Sequence, residues 1–261
     1  AYLVDSIERT CRKYNYRTLI TQTFGEKERE EEAMELVRMH HADGIILCAI
    51  ENDWDKIRSY EQYGKVVVCN EYNEDTSIST VRARQYEGFY KATEYLIGKN
   101  YQKIAYCTGS RGVMHQPNGM NIDSDRYSGY IEALAAHGMT ADPNLNFTRA
   151  KTMDDGRRIL EEILKRENRP DAIIAGSDEV AAGILTEAMN QGIKVPEDLA
   201  IVGVDDQPIA SLLPIPLTTI RQPVQDEGML AAKEIIRQLS EEPDDTVRKE
   251  LELELVIRQS A

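Results

Sequence analysis

The sequence predicts an α/β protein built from doubly wound parallel sheets. Short apolar runs with the composition of strands alternate with segments of helical spacing along the 261-residue chain. This alternation is typical of right-handed β-α-β units, in which helices cover both faces of a parallel sheet. The length allows either one large domain or two smaller ones.

The predicted strands and helices follow from the spacing of apolar residues. Strands are expected at the apolar runs RTLITQT, DGIILCAI, KVVVCN, KIAYCTG, DAIIAG, LAIVGV and LTTIRQ. Helices are expected at AYLVDSIERTCRKYNY, GRRILEEILKRENRP and DEVAAGILTEAMNQGIKVP, where apolar side chains recur on one face. The charged segment GEKEREEEAMELVRMHH is predicted to be a surface helix with a solvated face.

Charge and cysteine usage restrict the class of partner and the compartment. A formal net charge of -14 argues against nucleic-acid binding by this segment itself and against docking on anionic membranes. The four cysteines show no paired spacing, and three lie in apolar runs, which suggests a reducing compartment. With no secretion signal and no apolar span of about 18 residues, the sequence predicts a cytoplasmic protein.

The sequence lacks the motifs of the common enzyme classes. It contains no phosphate-binding loop of the Walker type, no dinucleotide-binding glycine fingerprint and no G-x-S-x-G elbow. The four histidines have no metal-ligand spacing with cysteines or acids. We therefore expect a binding protein that is not an enzyme and has no cofactor and no metal site.

Polar residues follow the predicted strands, where open parallel sheets bind their ligands. These residues carry hydroxyls, amides and carboxylates, and they stand at 48–51, 70–72, 108–111, 177–178 and 205–206. Such side chains suit a polar, hydroxylated small molecule.

Several segments resemble the LacI/GalR family of bacterial transcription regulators. The stretch IVGVDDQPIASLLPIPLTTIRQP resembles that family's strand, loop and strand, and DAIIAGSDEVAAGILTEAMNQGIKVPEDL resembles the run before it. The segments YEGFYKATEYLIGKNYQKIAY, SDRYSGYIEAL and ELVIRQS resemble other family segments in the same order. The resemblance covers nearly the whole chain, and its strength lies in this order rather than in any single piece.

The resemblance implies a periplasmic-binding-protein-like fold of two lobes with three crossovers. We expect residues 1–82 and 223–243 in the first lobe and residues 83–222 and 244–261 in the second. A small effector would bind between the two lobes of the chain. The resemblance also implies a homodimer. Operator DNA would be bound through an N-terminal helix-turn-helix that this sequence does not include. The family's first strand and the loop after it also precede Ala1, which falls inside the first helix.

The resemblance also implies which side chains contact the effector. Asp205 matches a position that accepts hydrogen bonds from the ligand, and its alternative is an aspartate that caps the loop. Asp206 is expected to hold the loop. Arg126 matches an arginine that points into the cleft, and its alternative is a surface pair with Asp123 or Asp125. Ser177 is the expected contact of its pair, because Asp178 is assigned to capping the following helix.

Two basic residues stand where the family has other residue types. Lys151 occupies a position where several members have an aromatic ring, and Arg84 one where an aspartate is common. Together with Arg126 they suggest an anionic effector, such as a sugar phosphate or a sugar acid. The alternative, that Lys151 and Arg84 extend into solvent, has equal weight.

Cys48 and Glu51 follow the GIIL strand of the first lobe and are candidates to face the ligand. A packed thiol and a solvated acid are equally compatible with that position. The loop SRGVMHQPNGMNIDSD either covers the mouth of the cleft or is an inert insertion.

The alternative function is a periplasmic sugar-binding protein of a transporter, which has the same fold. Unpaired cysteines and the repressor-like LTTIRQP segment count against it. An enzyme on this fold is a third alternative that has only the fold in its favour.

Overall fold

The computed structural model describes residues 2–73, 77–113, 115, 121–240 and 245–261. Contacts divide the chain into unit 1, Ala1–Ala83 with Pro223–Leu251, and unit 2, Arg84–Gln222 with Glu252–Ala261. Within the described ranges, no helix is both long and apolar enough to cross a membrane.

The described residues form alternating helices and strands. The helices are α1 (Tyr2–Lys13), α2 (Lys27–Arg38), α3 (Trp54–Arg58), α4 (Gln85–Gly98), α5 (Ile122–Ala136), α6 (Met153–Leu164), α7 (Asp178–Asn190), α8 (Pro208–Leu212) and α9 (Val224–Ser240). The strands are β1 (Gly44–Leu47), β2 (Lys65–Cys69), β3 (Ser79–Ala83), β4 (Ile104–Cys107), β5 (Asn146–Phe147), β6 (Ala172–Ile174), β7 (Ala200–Asp205), β8 (Thr218–Arg221), β9 (Arg248–Leu251) and β10 (Glu254–Val256).

Unit 1 contains a parallel sheet in the order β1-β2-β3-β9. Successive side chains of β2 alternate between its faces, as the period of a strand requires. Val67 and Cys69 pack with residues of α1 and α9, whereas Val66 and Val68 pack with residues of α2 and α3. Both faces are therefore covered, as expected for a parallel sheet.

Unit 2 contains a larger sheet in the order β10-β8-β7-β6-β4-β5. Its pairs are parallel except β10, which runs antiparallel to β8. The buried core on one face includes Ile173 and Ile201 from the strands, Leu160 from α6 and Ile184 from α7. Because the ladder from β8 through β5 is parallel, the carboxyl ends of these strands lie at one edge of the sheet. The predicted fold class is confirmed.

One predicted strand is wrong. Residues 17–23 have no regular structure, and Leu19 and Ile20 are 68% and 63% exposed. A strand requires a neighbour to receive its backbone hydrogen bonds, and the described residues place no strand beside this run. Apolar composition alone was therefore insufficient evidence.

The third crossover lies later in the chain than the sequence predicted. Residues 244–251 were expected in the second lobe, but β9 pairs with β3 from Thr80 and Arg248 to Ala83 and Leu251. The chain enters unit 2 only after Leu251. The sequence RKEL has no apolar alternation because its side chains are mostly exposed, and only its backbone places it in the sheet.

Candidate functional site

The carboxyl edge of the sheet in unit 2 is the candidate site. Asp205 ends β7, Ser177 lies three residues after the end of β6, Thr108 directly follows β4, and Lys151 follows β5. Arg126 lies in the first turns of α5, the helix after β4. The structure therefore places most of the predicted site residues in unit 2, while Cys48 and Glu51 belong to unit 1.

Asp205 and Asp206 have an unusual backbone conformation. Their φ angles are +105° and +54°, a region that residues other than glycine rarely adopt. Such strain persists only where surrounding contacts hold it, and it is frequent at ligand sites. The Asp205 carboxylate is partly buried and accepts a hydrogen bond from Gln207 Nε2 at 3.3 Å. No other described residue donates a hydrogen bond to this carboxylate, which leaves acceptor capacity on its oxygens.

Asp206 faces the protein and holds the loop together. Its Oδ2 accepts from Arg221 Nε at 2.7 Å, and its Oδ1 accepts from Arg258 Nη2 at 2.6 Å. Arg258 also donates to the carbonyl oxygen of Leu217, so the carboxylate connects β7, the start of β8 and the C-terminal segment. These contacts agree with the loop-holding role expected from the sequence.

The assignment of Asp178 as the cap of α7 is wrong. Ser177 is the cap, and its hydroxyl accepts from the backbone N–H of Val180 at 3.2 Å. Asp178 is fully buried, and it accepts from the backbone N–H of Gln207 and from Thr219 Oγ1, both at 2.6 Å. Asp178 therefore fastens the loop after Asp205 to α7 and β8. The Ser177 hydroxyl keeps its hydrogen for donation.

Gly203 provides the room that this buried carboxylate needs. A Cβ atom on Gly203 would lie 2.2 Å from Asp178 Oδ1, closer than any side-chain contact allows. Burial raises the pKa of Asp178 to about 7, the two hydrogen bonds oppose this rise, and the charges of Asp205 and Asp206 add to it.

The pKa of Asp178 predicts that stability depends on pH. A raised folded-state pKa means that the folded protein holds this proton more tightly than the unfolded chain, whose carboxyl has the ordinary value of 3.8. The contribution is complete below about pH 4 and is lost as pH rises towards 7, at about 1.4 kcal/mol per pH unit. Urea denaturation at a series of pH values should show this slope, and Asp178→Asn should lack it. If Asp178→Asn shows the same dependence of the unfolding free energy on pH, other titrating groups cause it.

Arg126 is held by a glutamine rather than by a neighbouring acid. Its Nε donates to Gln85 Oε1 at 2.9 Å, and its guanidinium carbon lies 5.3 Å from the centre of the Phe89 ring. Asp123, one of the two predicted surface partners, accepts instead from the hydroxyls of Thr108 and Ser110. Arg126 is partly buried, and the hydrogen bond from its Nε to Gln85 fixes the orientation of the guanidinium.

Lys151 and Arg84 are both exposed. Lys151 precedes the capping box of α6, and its backbone N–H donates to Asp155 Oδ2 at 2.9 Å. Its side chain passes over Gly109, where a Cβ atom would lie 3.4 Å from Lys151 Cγ. Arg84 directly precedes α4. This contact locates Lys151 beside the loop that follows β4.

In unit 1, buried acids fix the loops at the strand ends. Glu30 of α2 is buried, although the sequence predicted a solvated acidic face for that helix. It accepts from the backbone N–H groups of Glu51 and Asn52 at 3.0 and 2.7 Å. Glu227 of α9 accepts from the Asn70 amide, with its nitrogen oriented towards the carboxylate, at 3.0 and 3.1 Å.

Cys48 packs as a thiol of the unit 1 core. It lies against the buried cluster formed with α1 and α9, and a hydrogen bond with Cys69 lowers its pKa. The same hydrogen bond, together with burial, raises the pKa of Cys69. This packing favours the packed-thiol alternative, and the ligand role of Cys48 and Glu51 stays a prediction.

Sequence reasoning missed the roles of Asp178, Gln85, Gln222 and Glu30. The partners of Asp178 lie 29 and 41 residues further along the chain, beyond the reach of any local pattern. Part of the loop at 110–125 lies outside the described residues, and from Ile122 onward this segment belongs to α5.

Known proteins resemble this chain along almost its entire length. The periplasmic binding protein-like domain family matches residues 93–261. The NTD biosynthesis operon regulator NtdR of Bacillus subtilis is 34% identical over 240 residues, 92% of this chain and 71% of that protein. The ribose operon repressor of Halalkalibacterium halodurans is 29% identical, over 99% of this chain and 74% of that protein.

The solved structures lead to the same family. A LacI family transcriptional regulator from Lactobacillus casei with bound glucose superposes with a TM-score of 0.86 at 30% identity, covering 99% of this chain and 93% of that chain. These relatives are transcription regulators and not enzymes, as the sequence predicted. The chain belongs to the LacI/GalR family of transcription regulators and forms its periplasmic-binding-protein-like, effector-binding region.

Proposed function

We propose that a small carbohydrate binds at the carboxyl edge of the sheet in unit 2. Asp205 would accept hydrogen bonds from sugar hydroxyls, and Arg126, Lys151 and Ser177 would donate to sugar oxygens. The observation that carries this proposal is the Asp205 carboxylate. It is partly buried on a strained backbone, and among the described residues it accepts one hydrogen bond, the long one from Gln207. An ionised carboxylate placed in this way can hold two hydroxyls at once.

The charge at this edge favours an acidic sugar or a sugar phosphate over a neutral sugar. Arg126 offers its Nη groups, and the exposed Lys151 lies beside Gly109 on the neighbouring loop. Both are cations in a chain whose net charge is -14. A guanidinium and an ammonium bind phosphate or carboxylate oxygens through charge-assisted hydrogen bonds.

Among the relatives, the Lactobacillus casei regulator holds glucose in one structure and sucrose in another. The regulator CelR, at 26% identity and a TM-score of 0.84, holds cellobiose. These ligands support a carbohydrate for this chain without identifying which one.

A thermal-shift panel tests the ligand class. The panel contains glucose, sucrose, cellobiose and ribose as neutral sugars, and glucose 6-phosphate and gluconate as anions. A ligand at a hundred times its Kd stabilises the folded protein by about 2.7 kcal/mol, which raises Tm by several degrees. We expect at least one anionic compound to give the largest rise. A rise in Tm with neutral sugars only would contradict the proposal of an anionic ligand. If no compound of the panel raises Tm, the proposal that the ligand is a carbohydrate fails.

We further propose that the protein acts as a cytoplasmic homodimer whose affinity for operator DNA changes when the effector binds. The acidic charge of this region argues against DNA contacts by the region itself, which supports a separate DNA-binding part of the protein. Sedimentation of the intact protein would test the dimer. Binding of the intact protein to its operator, with and without the panel compound that stabilises it, would test the switch.

A further inference from the structure

Two buried glutamines stand at the positions where the chain passes between the units. Gln85 begins α4 two residues after β3 ends, and Gln222 directly follows β8. The contact-based division changes from unit 1 to unit 2 before Arg84 and from unit 2 to unit 1 after Gln222. Each glutamine therefore lies within two residues of a boundary, and both belong to unit 2.

The two side chains form a reciprocal amide pair. Gln85 Nε2 donates to Gln222 Oε1 at 2.9 Å, and Gln222 Nε2 donates to Gln85 Oε1 at 3.1 Å. Their exposed fractions are 3% and 8%, so neither amide can replace this partner with bulk water. Buried amides are costly unless they are hydrogen-bonded, and the pair therefore joins two chain segments that are 137 residues apart.

The same pair holds Arg126. Gln85 Oε1 accepts both from Gln222 Nε2 and from Arg126 Nε, which uses the two lone pairs of that oxygen. Within the part of the chain that the structure describes, the Nη groups of Arg126 have no hydrogen-bonding partner. One side of the guanidinium is thus fixed by the glutamines, and the other side is available to a ligand.

We propose that Gln85 and Gln222 are positioning residues that fix Arg126 and couple it to both chain segments at the unit boundaries. When an effector oxygen binds the Nη groups, the hydrogen bonds to Gln85 Oε1 would then transmit the effect to residues 84–88 and to residues 222–226. This inference rests on the proposed function for its ligand, but the arrangement of the three side chains is a property of the unliganded protein.

Three variants separate the steps. Gln85→Met removes the acceptor of Arg126 and breaks the pair, whereas Gln222→Met breaks the pair and leaves Gln85 Oε1 for Arg126. Gln191→Met is the control, because Gln191 donates to Glu187 on the surface of α7. Should Gln85→Met fail to fold, Gln85→Glu keeps both acceptor functions and should bind Arg126 more tightly.

The first two measurements need no ligand. In nitrogen-15 spectra of the intact protein, the signal of the Arg126 Nε–H group is identified by its loss in Arg126→Lys. In the wild type this Nε–H should exchange slowly with water. It should exchange about tenfold faster in Gln85→Met and stay protected in Gln222→Met and Gln191→Met. Backbone amide exchange should accelerate at both 84–88 and 222–226 in Gln85→Met and in Gln222→Met. A response confined to one segment, or an Nε–H that Gln85→Met does not affect, overturns the proposal.

The third measurement uses glucose and glucose 6-phosphate. Binding of either compound should slow amide exchange at both segments of the wild type. In Gln85→Met, the Kd for the compound should rise about 3- to 30-fold. Gln222→Met should keep its affinity for the compound but lose the protection from amide exchange that binding gives at 222–226. Retained protection in Gln222→Met overturns the coupling. If no compound of the thermal-shift panel binds the wild type while the ligand-free results hold, the ligand proposal fails and the positioning role stands.

Discussion

Asp205→Asn is expected to weaken effector binding about 100-fold while leaving the stability of the protein unchanged. Hydrogen bonds to a charged acceptor contribute roughly 1.5 to 3 kcal/mol each, and two sugar hydroxyls would lose part of that energy. Asparagine offers one acceptor oxygen in place of two and carries no charge. Isothermal titration with the panel compound that gives the largest thermal shift would measure the loss.

Stability should not change, because within the described part of the chain the carboxylate accepts only the long hydrogen bond from Gln207 at 3.3 Å. Asparagine also tolerates the positive φ angle of this position better than most residues. Glu179→Gln is the matched control, since it removes one negative charge from an exposed residue in the first turn of α7. An unchanged Kd in Asp205→Asn would exclude this carboxylate as the acceptor of the ligand.

Local pattern was sufficient for most of the fold and for choosing the sheet edge that forms the candidate site. Buried strands such as IVGV end at polar residues, and in a parallel sheet those ends meet at one edge. That rule directed attention to the pairs at 177–178 and 205–206, and the family resemblance then singled out Asp205 and Ser177 within them. The prediction failed where an element is defined by its partner rather than by its own side chains, as in the charged strand β9 and the unpaired run at 17–23.

The roles of neighbouring polar residues were beyond local pattern for a different reason. Serine and aspartate are both good helix caps, so the pair Ser177-Asp178 does not reveal which residue caps α7. The answer depends on Thr219 and the backbone of Gln207, which the fold brings to Asp178. In the same way, nothing in the sequence connects Gln85 with Gln222 before β3 and β8 are placed.

Asp206→Asn is expected to destabilise the protein by about 3 kcal/mol, with little effect on binding. Removing one partner from a buried ion pair leaves an uncompensated charge and typically costs about 3 to 5 kcal/mol. The Asp206 side chain is 9% exposed, and its partner Arg258 is 19% exposed. Its other partner, Arg221, is 46% exposed and also pairs with Glu254, so that contact contributes at most about 1 kcal/mol. The total therefore lies at the lower end of the range.

Urea denaturation of Asp206→Asn, measured beside Arg221→Gln, distinguishes the two contacts. Arg221→Gln should cost about 1 kcal/mol or less, because solvent surrounds nearly half of the arginine side chain. Asparagine keeps the shape of the side chain and tolerates the φ angle of +54°, so the difference reports the lost charge rather than backbone strain. Equal losses in the two variants would contradict the buried Asp206–Arg258 contact as the main source. A variant that loses stability but binds the effector within tenfold of the wild type would separate Asp206, which supports the loop, from Asp205, which we propose as the acceptor for the ligand.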